Sequence, residues 1–199
     1  LEHFQWLHRH PELALKEHET TNYVKNVLKQ TEGVELLDLG LDTGALAKIE
    51  GKEPGGVVAI RADIDALPIL EESGLSYSSE NDGCMHACGH DGHASIGLTT
   101  AKILMELKEH LHGTLKIIFQ PAEEGVRGAK SICESGFLDD VDYIFAAHIM
   151  PRVKDYDLYF GMNESFATTK LDVIYHGVST HAAESPQFGK NALLSAANC

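Results

Sequence analysis

Apolar residues recur at helical spacing at the start of the chain and then in short runs. Residues 1–31 predict two helices separated at Pro11. Apolar positions at three- and four-residue steps predict a longer helix over 95–111 and a shorter one over 128–135. Short apolar runs bounded by glycine and aspartate predict strands at 34–39, 45–49, 57–61, 115–119 and 143–147. Helices alternating with strands predict an α/β fold, in which a sheet is flanked by helices.

The pattern changes again near residue 165. Residues 168–175 alternate charged and apolar side chains, which predicts a half-exposed strand, and an amphipathic helix begins after Gly189. We therefore predict a first domain over 1–165 and the beginning of a second domain over 166–199.

Polar side chains follow three of the predicted strands at the point where each strand ends. Arg61 and Asp63 end one strand, Glu123 and Glu124 follow the next, and His148 follows the last. The ends of neighbouring parallel strands meet at one edge of a sheet, so we expect these groups to converge there. For the first pair a simpler interpretation is equally open, in which Arg61 and Asp63 pair with each other or with capping amides.

A dense cluster of metal-binding side chains lies just before the long central helix. The stretch MHACGHDGH holds one thiol, three imidazoles and one carboxylate. Cys88 and His90 are one residue apart and can reach one metal ion, or two adjacent ions, from a single loop, so we predict both as ligands. We predict supporting roles for His86, Asp91 and His93, because one loop cannot aim every side chain at the same ion.

Two adjacent glutamates follow the strand over 115–119. Consecutive side chains in irregular backbone point different ways, so one carboxylate can bind a metal while its neighbour takes a proton from a water. That division of labour is typical of a metallohydrolase. A solvated acidic pair on a turn is the alternative, but Gln120-Pro121 and the apolar strand before Glu123 and Glu124 favour a fixed site.

Acidic residues outnumber basic ones by 30 to 16, and the formal net charge is −14. Such a charge repels phosphate backbones and anionic lipids, so we expect neither nucleic acid nor a membrane as a partner. No apolar run approaches the roughly 20 residues that span a bilayer, and the order of a signal peptide is missing, so the cytoplasm is the expected location. Four cysteines without regular spacing indicate reduced thiols or metal ligands rather than disulfides.

Five segments in collinear order resemble one known family. They are RHPELALKEHETT, RADIDALPI, MHACGHDGH, FQPAEEGVRGAK and GVSTHAAESPQFGKNAL. The family is the M20 metallopeptidases, in the amidohydrolase branch of hippurate hydrolase and N-acyl-amino-acid amidohydrolases, with the aminobenzoyl-glutamate hydrolase subunit type nearest in pattern. The resemblance covers nearly the whole chain and implies that the chain corresponds to the N-terminal half of a longer protein.

The resemblance also implies roles for individual residues. It makes Glu123 the general base and assigns a pair of divalent metal ions to four ligands, Cys88, His90, Glu124 and His148. Zinc and manganese are the expected ions, with cobalt and nickel as further candidates. The implied fold is a zinc-exopeptidase-like catalytic domain with a mixed sheet, interrupted by an α+β lid domain that mediates dimerisation. In many relatives a lid histidine reaches into the catalytic site of the partner protomer, and His181 stands at that position.

The implied reaction is hydrolysis of the amide that joins an acyl or aroyl group to an amino acid or small peptide, through a metal-bound water. The implied partners are an N-acyl amino acid or dipeptide substrate and, through the lid, a second copy of the chain or a related second subunit. Two alternatives stay open. Cys88 could act as a nucleophile beside a histidine, or the polypeptide could be an inactive fragment or a non-catalytic metal-binding homologue, because the family's last histidine ligand is absent from it.

Overall fold

The computed structural model describes residues 1–125, 128–150, 161 and 171–198. The chain divides into two compact units, Leu1–Val153 and Lys154–Cys199. The predicted domain boundary near residue 165 lies outside the described residues and stays a prediction.

The first unit alternates helices and strands, as the apolar pattern predicts. Its helices are α1 (Glu2–Arg9), α2 (His18–Gln30), α3 (His90–Glu106) and α4 (Ala129–Glu134). Its strands are β1 (Glu35–Leu37), β2 (Ala45–Glu50), β3 (Glu53–Asp63), β4 (His112–Gln120) and β5 (Tyr143–Ala146). A 3₁₀ turn, Lys108–His110, joins α3 to β4.

The five strands form one mixed sheet in the order β1-β2-β4-β3-β5. The pairs β1–β2 and β2–β4 are antiparallel, whereas β3 runs parallel to both β4 and β5. Asp63 of β3 pairs with Gln120 of β4, and Arg61 pairs with Ala146 of β5. The predicted α/β class with a mixed sheet is therefore confirmed, and the ends of three adjacent parallel strands lie at one edge.

Alternation along β4 explains why both faces of the sheet are covered. Ile117 and Phe119 are fully buried in the core that contains residues of α1, α2 and α3. Ile118, between them, points to the opposite face and packs in a smaller cluster with Ile132 of α4. Because side chains alternate along a strand, one buried strand can serve both clusters.

The start of α3 differs from the sequence prediction. The helix predicted over 95–111 begins at His90 and ends at Glu106, so the expectation of a loop through residue 93 was wrong. Gly89 precedes the helix with φ +87, a left-handed conformation that glycine adopts without strain, and the glycines made the helix start look like a loop. Consequently His90 and His93 are helical residues three apart, on one side of α3.

The second unit contains a 3₁₀ turn, Pro186–Phe188, and a short helix, α5 (Ala192–Ala197). The helix confirms the prediction made for the residues after Gly189. Of the predicted strand over 168–175, the described part, 171–175, forms no ladder with other described residues. Among the helices in the described ranges, none is both long and apolar enough to cross a bilayer.

Candidate metal centre

The start of α3 and the segments after β4 and β5 bring thiol, imidazole and carboxylate groups together. Cys88 Sγ lies 3.4 Å from His148 Nε2, and His90 Nε2 lies 3.9 Å from Glu124 Oε1. Cys88, His90 and His148 each have one possible ligand atom within 4.8 Å of those of the other two. The same is true of His90, Glu123 and Glu124. The two groups share His90. The structure thus places the four predicted ligands and the predicted base at one location.

The donor set fits a metal ion. The His90 side chain is fully buried, and its Nδ1 lies 2.8 Å from the backbone oxygen of Asp65. A carbonyl oxygen only accepts, so Nδ1 carries the hydrogen. The other ring nitrogen, Nε2, is buried without a hydrogen-bond partner among the described residues, and its nearest carboxylate oxygen, Asp63 Oδ2, lies 3.5 Å away. A buried polar atom left without a partner is unfavourable, and a cation bound there would provide one.

Negative charge around His90 also favours a cation. Burial lowers the pKa of His90, but the hydrogen bond to Asp65 and the charge of Asp63 outweigh it and raise the pKa overall. An environment that stabilises a proton on an imidazole stabilises a divalent cation at the same place, since both effects arise from the carboxylates.

Asp65 holds two of the predicted ligands. The side chain is fully buried, its Oδ1 lies 3.2 Å from His90 Nδ1, and its Oδ2 accepts the backbone N–H of Glu124 at 2.8 Å. A carboxylate that fixes the ring orientation of a metal-binding histidine is common in metal sites. Sequence reasoning gave Asp65 no role. The available signal was its position two residues beyond Asp63, in the segment that follows a buried strand.

Arg61, Asp63 and His93 form a second network, in which Asp63 and His93 are buried and Arg61 is half-buried. Arg61 Nη1 donates to Asp63 Oδ2 at 2.7 Å, so the simpler interpretation of this pair is the one observed. Asp63 Oδ1 also accepts from His93 Nδ1 at 2.5 Å, while His93 Nε2 accepts the backbone N–H of Ile149 at 2.9 Å. Ile149 directly follows His148. Through this network, the backbone next to the predicted ligand His148 is hydrogen-bonded to α3 and, through Asp63, to β3.

The pKa of Cys88 argues against the cysteine-nucleophile alternative. Burial raises it, the hydrogen bond and charge of Glu124 raise it further, and it reaches about 12. The thiolate is the nucleophile in cysteine catalysis, and activated cysteines have lowered pKa values. A thiol surrounded by carboxylates keeps its proton at neutral pH, whereas a bound metal ion would displace that proton.

The remaining residues of the MHACGHDGH stretch surround the site. Asp91 Oδ2 accepts from His8 Nδ1 at 2.6 Å, which joins the first turn of α3 to α1. His86 is buried, and neither ring nitrogen has a hydrogen-bond partner among the described residues. Burial lowers the pKa of His86 to about 4, so the ring is neutral. Asp91 thus takes part in a hydrogen-bond network beside the site, and His86 is a core histidine.

His181 lies in the second unit. The backbone N–H groups of Ala183 and Glu184 lie 3.3 and 3.1 Å from its Nδ1 and donate to it. Because Nδ1 accepts, the hydrogen of the neutral ring lies on Nε2, where it can be donated. The role of His181 toward a partner protomer stays a prediction.

Comparisons with known proteins show the family of the chain. Residues 59–196 match the model of the peptidase family M20/M25/M40. One of the subunits of the p-aminobenzoyl-glutamate hydrolase of Escherichia coli is 46% identical over 162 residues, which are 78% of this chain and 37% of that protein. An N-acetylcysteine deacetylase of Bacillus subtilis is 49% identical over 146 residues, 73% of this chain and 38% of that protein. The chain thus spans less than two-fifths of the length of these relatives.

Solved structures give the same result. A Bacillus subtilis protein described as a dinuclear metal binding peptidase from the M20 family has a TM-score of 0.74 and 46% identity, over 76% of this chain and 42% of that chain. An aminobenzoyl-glutamate utilization protein from Klebsiella pneumoniae has a TM-score of 0.68 and 27% identity, over 98% of this chain and 54% of that chain. Since the family match covers more than half of the residues, the chain belongs to the peptidase family M20/M25/M40.

Proposed function

We propose that the chain supplies the metal site and general base of an amidohydrolase that cleaves N-acyl or N-aroyl amino acids or small peptides. The observation that carries the proposal is the buried His90 Nε2, which has no hydrogen-bond partner among the described residues. It belongs to one group with the thiol of Cys88 and to another with the two adjacent carboxylates of Glu123 and Glu124. The names of the similar proteins support the reaction class, since they include an N-acetylcysteine deacetylase and an aminobenzoyl-glutamate hydrolase.

Four side chains would hold two divalent metal ions, namely Cys88, His90, Glu124 and His148. The thiolate and imidazoles suit zinc, while the carboxylate also admits manganese, cobalt or nickel. When bound, such ions lower the pKa of a water and polarise an amide carbonyl. The chain contributes ligands fixed by Asp65 and by the network through His93.

Glu123 and Glu124 would divide two tasks. The Glu124 side chain is half-buried and its backbone is held by Asp65, which suits a ligand. Glu123 is exposed, so its carboxylate can reach a water and a substrate. Glu123 would take a proton from the attacking water and pass it to the amide nitrogen as the carbon–nitrogen bond breaks, which returns the carboxylate to its starting state.

Assembly would complete the site. We propose that the active protein is a homodimer, or a pair with a related second subunit, in which His181 of one chain donates from Nε2 to the developing oxyanion of the other. Support comes from the tautomer that the amides of Ala183 and Glu184 impose on His181. The Escherichia coli relative is itself named as one subunit of its hydrolase.

The variant E123Q tests the base. We expect metal content to stay unchanged and turnover of an N-acetyl or N-benzoyl amino acid to fall by roughly two or more powers of ten. Unchanged turnover would contradict the role of Glu123. If the unmodified chain binds metal but hydrolyses no such amide, the alternative of a non-catalytic metal-binding homologue is supported instead.

A further inference from the structure

Two non-glycine residues in the described parts of the chain have left-handed backbone. They are Leu15, with φ 64, and Ala122, with φ 53. A Cβ atom makes this conformation unfavourable, so a residue keeps it only where its surroundings hold it. Ala122 directly precedes Glu123 and Glu124. Whatever holds Ala122 therefore also sets the direction of the proposed base and of one proposed ligand.

One buried carboxylate faces both strained residues. Glu17 has 0% exposure, and its Oε1 accepts the backbone N–H of Ala122 at 2.7 Å across a separation of 105 residues. Burial raises the pKa of Glu17, while the amides of Glu17, Ala122 and Leu15 and the side chain of Thr43 favour the charged form. A carboxylate is buried only at substantial cost unless donors satisfy it, and Oε2 of Glu17 has no hydrogen-bond partner among the described residues.

Helix capping does not account for this carboxylate. Glu17 occupies the N-cap position of α2 but its side chain makes no capping hydrogen bond. Glu12 caps the helix instead, since its two carboxylate oxygens accept the backbone N–H groups of Glu19 and Thr20 at 3.1 and 2.8 Å. The Glu17 side chain is therefore directed to the turn after β4 rather than to its own helix.

The turn itself is held at two points. Glu17 binds the amide of Ala122, and Asp65 binds the amide of Glu124 at 2.8 Å. Within the same turn, Gly125 donates to the carbonyl of Glu123 at 2.7 Å. The backbone of Glu123 thus lies between two amides that are bound to fully buried carboxylates.

We propose that Glu17 is a positioning residue for the Glu123–Glu124 pair. By accepting the Ala122 amide it stabilises the left-handed conformation that directs both glutamates toward His90. The inference rests on the proposed roles of Glu123 and Glu124. It extends the site to a residue at the N-cap of α2 that acts on the turn through the Ala122 amide.

The test compares E17M with and without A122G. Methionine has about the length of Glu17 but no oxygen to accept the Ala122 amide, whereas glutamine would keep an oxygen at the position of Oε1. We expect E17M to weaken Zn²⁺ binding by about tenfold, measured by competition with a chromophoric chelator. Amide exchange in a peptide covering 119–125 should accelerate by a similar factor, about tenfold, measured by mass spectrometry.

The glycine variant separates positioning from general damage. Glycine adopts a positive φ without help, so in the A122G background E17M should change Zn²⁺ affinity by less than about twofold. The matched control is E12M, which weakens the cap of α2 and should leave Zn²⁺ affinity within about twofold. If E17M does not fold, E17D keeps the charge, shortens the reach and gives the same comparison.

Two results would overturn the proposal. One is that E17M leaves both the Zn²⁺ affinity and the amide exchange rate unchanged. The other is an equal loss of affinity with and without A122G, which would make Glu17 merely structural. Zn²⁺ affinity and amide exchange do not depend on turnover. If the unmodified chain had no amidase activity, the proposed function would be contradicted, but these two measurements would still test the role of Glu17.

Discussion

Replacing His93 by alanine tests whether the buried network behind the candidate metal centre positions His148. The side chain is 4% exposed and makes two hydrogen bonds, to Asp63 at 2.5 Å and from the Ile149 amide at 2.9 Å. Losing a buried, charge-assisted bond costs about 2 kcal/mol, and losing the amide bond costs about 1 kcal/mol. The free energy of unfolding of the metal-free chain should therefore fall by about 3 kcal/mol, which urea titration measures.

Metal affinity is the more informative readout for this variant. Without His93 the backbone at Ile149 loses its tie to α3, and His148 must be ordered by the metal itself. Removing such an outer partner typically lowers metal affinity by about 10- to 100-fold, and chelator competition with Zn²⁺ should show a loss in that range. The control is His3→Ala, which also removes two hydrogen bonds, to Tyr23 and Lys102, outside the site. If H93A and H3A bind Zn²⁺ equally well, the network does not position His148 and the reasoning fails.

Two further predictions concern titration of the metal-free chain. Burial raises the pKa of Asp63, but the hydrogen bond from His93 and the charges of His90 and Arg61 lower it to about 2, from an ordinary value of 3.8. The ionised form therefore contributes about 2 kcal/mol to the free energy of unfolding above pH 3.8, and this contribution is lost as the pH falls toward 2. In urea unfolding, the difference in free energy of unfolding between the wild type and D63N should shrink over that pH interval. A constant difference would contradict the assignment. The raised pKa of Cys88, about 12, predicts that at pH 8 iodoacetamide modifies Cys88 at least about tenfold more slowly than the exposed Cys133, as peptide mapping can measure. Faster reaction at Cys88 would favour the nucleophile alternative.

Apolar periodicity was sufficient to predict the sheet and the convergence of its strand ends. A run such as 115–119 shows that a strand is buried, and the polar residues after it show where the strand ends. Because β3, β4 and β5 are parallel neighbours, their ends meet, and Glu124 and His148 come within reach of His90. The cluster around Cys88 was recognisable because several ligand types occur in one short stretch.

Residues that support the site were harder to predict, because their function depends on partners far away in sequence. Asp65 binds His90 and Glu124, and Glu17 binds Ala122, only after the strands and helices have packed. A period of two or 3.6 residues indicates which face is buried but not which donor a buried carboxylate will meet. The start of α3 was missed for a local reason, since Gly89 begins the helix from a left-handed conformation that resembles a loop in sequence.

The most direct test of the metal centre is a titration of the metal-free chain with Co²⁺, followed by optical absorption. A cobalt–thiolate charge-transfer band should appear, and saturation should occur at two equivalents. The C88S variant should lose the band, and E124Q should bind more weakly, whereas E123Q should match the wild type, because Glu123 is proposed as the base and not as a ligand. Absence of a thiolate band in the wild type, or a band that survives in C88S, would contradict the proposed metal centre.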